Sequence, residues 1–138
     1  MSISGREISV TDDERPLLLL TCSGISHAGQ LTTLTGHWLH CLHPTIVSRH
    51  LKLTNLKRPL ESELSDGECL IAVDGCEKCC AKKRIDLIGK VPDIYLVATE
   101  EGITKRGMEE PRYDEIEGLS GVILNTIRNK KEELRMRE

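Results

Sequence analysis

Six cysteines, at positions 22, 41, 69, 76, 79 and 80, carry most of the chemistry this chain could perform. Cys22 closes the apolar run Leu17-Leu18-Leu19-Leu20-Thr21, and Cys76 closes Leu70-Ile71-Ala72-Val73-Asp74-Gly75. If both runs are parallel strands, both thiols emerge at the same carboxyl edge of one sheet, where open α/β folds place their ligands. Cys80 follows one helical turn after Cys76, at the spacing that puts two side chains on one helix face. Such a cluster suits a soft metal. Four thiolates around zinc make a closed site, whereas three plus water leave a Lewis-acidic position open. Iron accepts the same four thiolates, so spacing alone does not separate it from zinc.

The remaining candidates divide between that chemistry and structure. Cys79 and Cys80 on one helix would be rotated by roughly 100°, which makes joint ligation awkward. Cys76-Glu77-Lys78-Cys79 instead has the Cys-x-x-Cys spacing of thiol–disulfide exchange, with the first thiol as nucleophile. That rival lacks the aromatic company and nearby cis-proline loop of a thioredoxin-like site. A helix N-terminus together with Lys78, Lys82, Lys83 and Arg84 favours a thiolate at Cys76. Cys69, at the start of a buried strand, reads as a core thiol. His27 reads as a capping or surface histidine, with a ligand role as the alternative. His37, His40, His43 and His50 surround Cys41, as a second metal site or simply a polar strand and loop. Asp74 is placed to order its turn and cap the next helix. The run Lys82-Lys83-Arg84 reads as a solvated helix face, and an oxyanion at the helix N-termini stays open.

Elements must bring these residues together. Pro16 opens a first strand over Leu17–Thr21, whose unbroken apolar character suits burial on both faces. Ser26 is a natural N-cap for a helix carrying Leu31 and Leu34, and Gly36 a natural stop. A returning strand over His37–Leu42, ended by Pro44, would bring Cys41 back to the carboxyl edge. A helix running on to Cys41 would leave it at the far edge, roughly 18 Å away. The returning strand is the favoured version. Residues 45–66 show a mostly helical apolar period, broken at Pro59 and ended by Ser65-Asp66-Gly67. Strands then follow at Glu68–Val73 and Ile94–Ala98, with a helix over Lys78–Ile88 between them, closed by Gly89. A final amphipathic helix runs from about Asp114, weakened at Gly118 and Gly121. Strands alternating with helices imply a three-layer α/β sandwich with a mostly parallel sheet of about four strands and helices on both faces. Residues 1–14 read as a flexible lead-in, with Ile8-Ser9-Val10 able to add an edge strand, and 15–138 as one α/β domain.

Composition narrows the function classes. A net charge of −3 gives no basic field for nucleic acid or an anionic membrane. One Trp, two Tyr and no Phe offer no base-stacking platform. The longest uninterrupted apolar run is the four leucines at 17–20, far short of the roughly 20 residues of a membrane helix. Nor do those leucines and the mixed-charge segment before them make an export signal. The expectation is a cytoplasmic protein whose thiols stay reduced, which favours metal or redox chemistry over disulfides.

Three segments resemble one known family. Thr-Cys-Ser-Gly-Ile-Ser-His-Ala-Gly-Gln-Leu at 21–31, Cys-Leu-His-Pro at 41–44 and Ala-Val-Asp-Gly-Cys-Glu-Lys-Cys-Cys-Ala-Lys-Lys at 72–83 are similar to the DGC domain family. The resemblance runs from about residue 17 to 106. That family is described as zinc-binding and is named for its Asp-Gly-Cys motif, with four chelating cysteines. The resemblance implies Cys22, Cys41, Cys76 and Cys80 as zinc ligands, with Cys79 as the alternative to Cys41, and it carries no substrate or reaction with it. The expected protein therefore binds a metal ion, and neither nucleic acid nor membrane. The alternatives are a Cys76/Cys79 thiol–disulfide redox protein and a metal-dependent enzyme.

Overall fold

The computed structural model describes residues 15–136, so the lead-in and the strand expected at Ile8-Ser9-Val10 lie outside the described residues. Four strands, β1 (Leu17–Thr21), β2 (Arg49–Lys52), β3 (Cys69–Asp74) and β4 (Ile94–Val97), form one sheet in the order β2-β1-β3-β4. Every pairing is parallel. The helices are α1 (His27–Leu42), α2 (Leu60–Glu63), α3 (Cys80–Leu87) and α4 (Tyr113–Met136).

The leucine run explains the centre of the sheet. β1 pairs on both sides, so its backbone is saturated and its side chains alternate into two apolar layers. Leu17 and Leu19 pack with Leu31 and Leu39 of α1 and with Leu119, Ile123 and Ile127 of α4. Leu18 and Leu20 pack with Leu60 of α2 and with Ala81 and Ile85 of α3. The result is the expected three-layer α/β sandwich, with α1 and α4 on one face and α2 and α3 on the other.

Two expectations need correction. The first concerns Gly36. The Ser26 side chain caps α1 as anticipated, accepting from the Gly29 N–H at 3.3 Å. The helix then runs through Gly36 to Leu42, two residues short of Pro44, so no strand returns over His37–Leu42. Gly36 is there because the His50 ring lies against it. A Cβ at that position would stand 2.3 Å from His50 Nε2. The glycine serves close helix–strand packing rather than helix termination.

The second concerns residues 45–66. In place of a long helix they supply β2, a 3-10 turn at Leu53–Asn55 and the single turn α2. Their helix-like apolar period arises from two destinations. Ile46 and Val47 serve the α1/α4 layer, while Leu51, Leu53, Leu56, Leu60 and Leu64 serve the opposite one. β2 itself reads Arg-His-Leu-Lys and lies at the sheet edge, where an apolar run is not required.

The connections set the location of the site. From β1 the chain crosses through α1 to β2 on one side, then returns past β1 to β3 on the other. The carboxyl ends of β1 and β3 therefore flank the topological switch point, where open parallel sheets form a crevice.

Candidate metal centre

β1 and β3 pair from Leu17↔Cys69 to Thr21↔Val73, so Cys22 and Asp74 are the first residues past the paired register. The Cys22 N–H donates to the Val73 carbonyl at 3.2 Å. Its sulfur accepts the Gly75 N–H at 3.3 Å and stands 3.7 Å from Thr32 Oγ1 of α1. Burial pushes the Cys22 thiol up, and the hydrogen bonds from Thr32, Gly75 and Gly24 only partly offset this. The next residue, Ser23, adopts a left-handed φ of 55°. It is held there by its N–H to Thr32 Oγ1 at 3.1 Å and by its carbonyl, which accepts from Thr54 at 3.0 Å.

The start of α1 is pressed against both strand-end turns. A Cβ on Gly29 would fall 2.6 Å from the Gly24 backbone, and one on Gly75 would fall 2.7 Å from the backbone of Ala28. Neither position has room for a side chain.

At the end of β3, Asp74 is buried and caps α3, as its sequence position suggested. Its carboxylate accepts the Ala81 N–H at 2.7 Å, the Lys82 N–H at 3.1 Å and the Tyr95 hydroxyl at 2.7 Å. Burial first, then the Cys79 thiol and the Asp74 carboxylate, push the Tyr95 hydroxyl far up, so it remains a donor. Because α3 begins only at Cys80, Cys76 lies in the turn before it, and the helix-face argument for Cys76 and Cys80 does not apply. Cys79 takes a left-handed conformation, φ 54° and ψ 46°, with its N–H donating to the Cys76 carbonyl at 3.1 Å. The rotation expected of adjacent helical residues is removed by that kink, so Cys79 and Cys80 both face the same space.

That space is a cavity of about 460 Å³, lined by Cys22, Cys76, Cys79 and Cys80, with Lys78, Lys83 and Arg84 on its wall and Leu53 and Thr54 closing the β2 side. Cys22, Cys76 and Cys79 are half-buried and Cys80 is exposed. Among the described residues, no group of three or more His, Cys, Asp or Glu side chains is arranged to hold a metal ion. The four thiols line one cavity but are not arranged around a common point. As a donor set they fit a soft metal, and the Gly75 N–H on the Cys22 sulfur is the kind of supporting hydrogen bond that metal-bound thiolates receive.

Cys41 lies elsewhere. It is exposed in the last turn of α1, with its sulfur 3.5 Å from His37 Nε2, and it does not line the cavity. Cys69 packs against the core at the start of β3, and burial with Asp93 pushes its thiol up, in keeping with a core role. His27 is neither on the surface nor in the cavity. It is fully buried, and its Nε2 lies 2.9 Å from Glu115 Oε1, joining α1 to α4. His40 Nδ1 lies 2.9 Å from the Val47 carbonyl, and His50 Nε2 lies 2.9 Å from Thr21 Oγ1. Thr32 and Tyr95 were missed by sequence reasoning. Thr32 had a signal, since it falls on the same inward helical face as Leu31, Thr35 and Leu39. Tyr95 had only its position in an otherwise apolar strand.

A model of the DGC domain family matches residues 18–123. No curated protein and no solved structure matches the chain. The family match reaches from β1 into α4, well over half the chain, and takes in both strand-end turns and every thiol of the cavity; the chain belongs to the DGC domain family.

Proposed function

We propose that this protein binds a soft metal ion, zinc before iron, through Cys22, Cys76, Cys80 and Cys79 at the carboxyl edge of the sheet. One observation carries the reading: thiols from the ends of two different strands line a single cavity at the switch point. Cys79 is the fourth ligand in preference to Cys41 because it shares that cavity, while Cys41 rides at the other end of α1.

The surrounding groups support thiolate ligation. Ligation requires Cys22 to lose a proton that burial makes it keep, so metal uptake at this site releases protons and strengthens as pH rises. Lys78, Lys83 and Arg84 offset the negative charge the thiolates bring. Bound by all four sulfurs the ion is structural, and bound by three it offers a Lewis-acidic position. Reduced thiols require a reducing compartment, and the cytoplasm supplies one. No helix among the described residues is long and apolar enough to cross a membrane.

Elemental analysis of anaerobically purified protein, paired with thiol counting before and after chelation, tests this. Roughly one ion and four protected thiols per chain are expected for a closed thiolate site. Cys22→Ser and Cys79→Ser should each lose that ion, and Cys41→Ser should retain it. Metal-free protein carrying a reducible Cys76–Cys79 disulfide would replace this reading with thiol–disulfide exchange.

A further inference from the structure

We infer a second metal site on the outer surface of α1, in which His37 Nε2 and Cys41 Sγ together hold a zinc-like divalent cation. The two residues are four apart near the C-terminal end of a helix, so their side chains stand one above the other. Both are exposed, and their donor atoms lie 3.5 Å apart. A tetrahedral zinc with bonds of about 2.3 Å to sulfur and about 2.0–2.1 Å to nitrogen would separate those atoms by roughly 3.5 Å. The pair is already at the spacing a shared ion demands, and waters complete the shell. The other ring nitrogen, Nδ1, is farther from the sulfur at 3.9 Å, so Nε2 is the donor.

Two neighbouring histidines each have one ring nitrogen engaged elsewhere. His40 Nδ1 is taken by the Val47 carbonyl, and His50 Nε2 is taken by Thr21. The last turn of a helix also carries the negative end of its dipole, which favours a cation. This site is separate from the thiol cavity. α1 has 16 residues and spans about 24 Å, and its N-terminal end, not this one, lies at the cavity.

The test uses the full chain, reduced and metal-free, titrated with Co²⁺ and then Zn²⁺. Trp38 is the only tryptophan and is bracketed in sequence by the two ligands, so its fluorescence reports on this end of α1. Cobalt should quench Trp38 and raise a sulfur-to-cobalt charge-transfer band. His37→Ala and Cys41→Ser should each abolish the quenching and lower the stoichiometry by one ion, with helical circular dichroism unchanged because both positions are exposed. Unchanged stoichiometry and quenching in both variants would overturn the site. So would loss, in Cys41→Ser, of the same ion that Cys22→Ser loses, since Cys41 would then belong to the cavity. A Cys22→Ser variant that loses no ion would defeat the cavity reading alone, leaving the His37 and Cys41 losses as the measure of this one.

Discussion

Asp74 holds three donors with one carboxylate: two amides of the first turn of α3 and the Tyr95 hydroxyl. One of these bonds is buried and two are partly buried, and removing the acceptor from such a group is costly because its donors are left poorly satisfied. Asp74→Ala should therefore destabilise the protein by about 3 kcal/mol, and Tyr95→Phe by about 1 kcal/mol, as read from urea unfolding midpoints. Both should also loosen Cys79 and Cys80, which stand at the start of the helix that Asp74 secures. At His50, burial and then the charges of His37, Lys52 and His40 hold the imidazole down at about 4, against 6.5 for a free one. Between those values the unfolded chain takes up a proton that the folded chain refuses. Stability should be level in this respect above pH 6.5 and should fall as pH drops from 6.5 through 4. Comparing unfolding midpoints of the parent and His50→Gln over that range checks this; equal slopes would show that another group titrates.

At the scale of elements, glycines of the same chain are expected to respond in opposite directions. Gly29 and Gly75 are sealed against the backbone of the adjoining turn and helix, so Gly29→Ala or Gly75→Ala must move α1 off a strand end. Each should destabilise by about 1–3 kcal/mol, the usual cost of overpacking, and lower metal occupancy of the cavity. Gly118 and Gly121 lie in α4 with nothing within 4 Å of a built Cβ, so alanine there should stabilise by up to about 1 kcal/mol each. Thermal unfolding of the four variants separates the two classes. The same residue type explains what could and could not be read from the sequence. β1 and β3 were legible because fully buried strands leave continuous apolar runs, and Asp74-Gly75-Cys76 announced a turn. Gly36 was not, because a packing glycine and a capping glycine look alike until the partner, His50, is known. β2 left almost no trace because an edge strand is defined by whom it pairs with. The Cys79 kink was hidden too, since a left-handed cysteine has no signature in composition or period.

For the molecule as a whole, the cavity gathers pieces that are distant along the chain: the end of β1, the turn after β3 and the first residue of α3. An ion bound there, as proposed, would link them and favour the folded state by mass action. Chelation should accordingly lower the unfolding temperature of the parent protein and leave that of Cys22→Ser unchanged, as followed by circular dichroism. The sheet order β2-β1-β3-β4 has a further consequence, for synthesis. β1 is made before either of its partners, and one of them, β3, is not complete until Asp74 has been added. Until then the four leucines that end at the centre of the sheet have no neighbour on that side, and unpaired apolar strand of this kind is what chaperones bind and aggregates recruit. Among the four strands, the one buried along its whole length is thus the one left waiting longest for its partners.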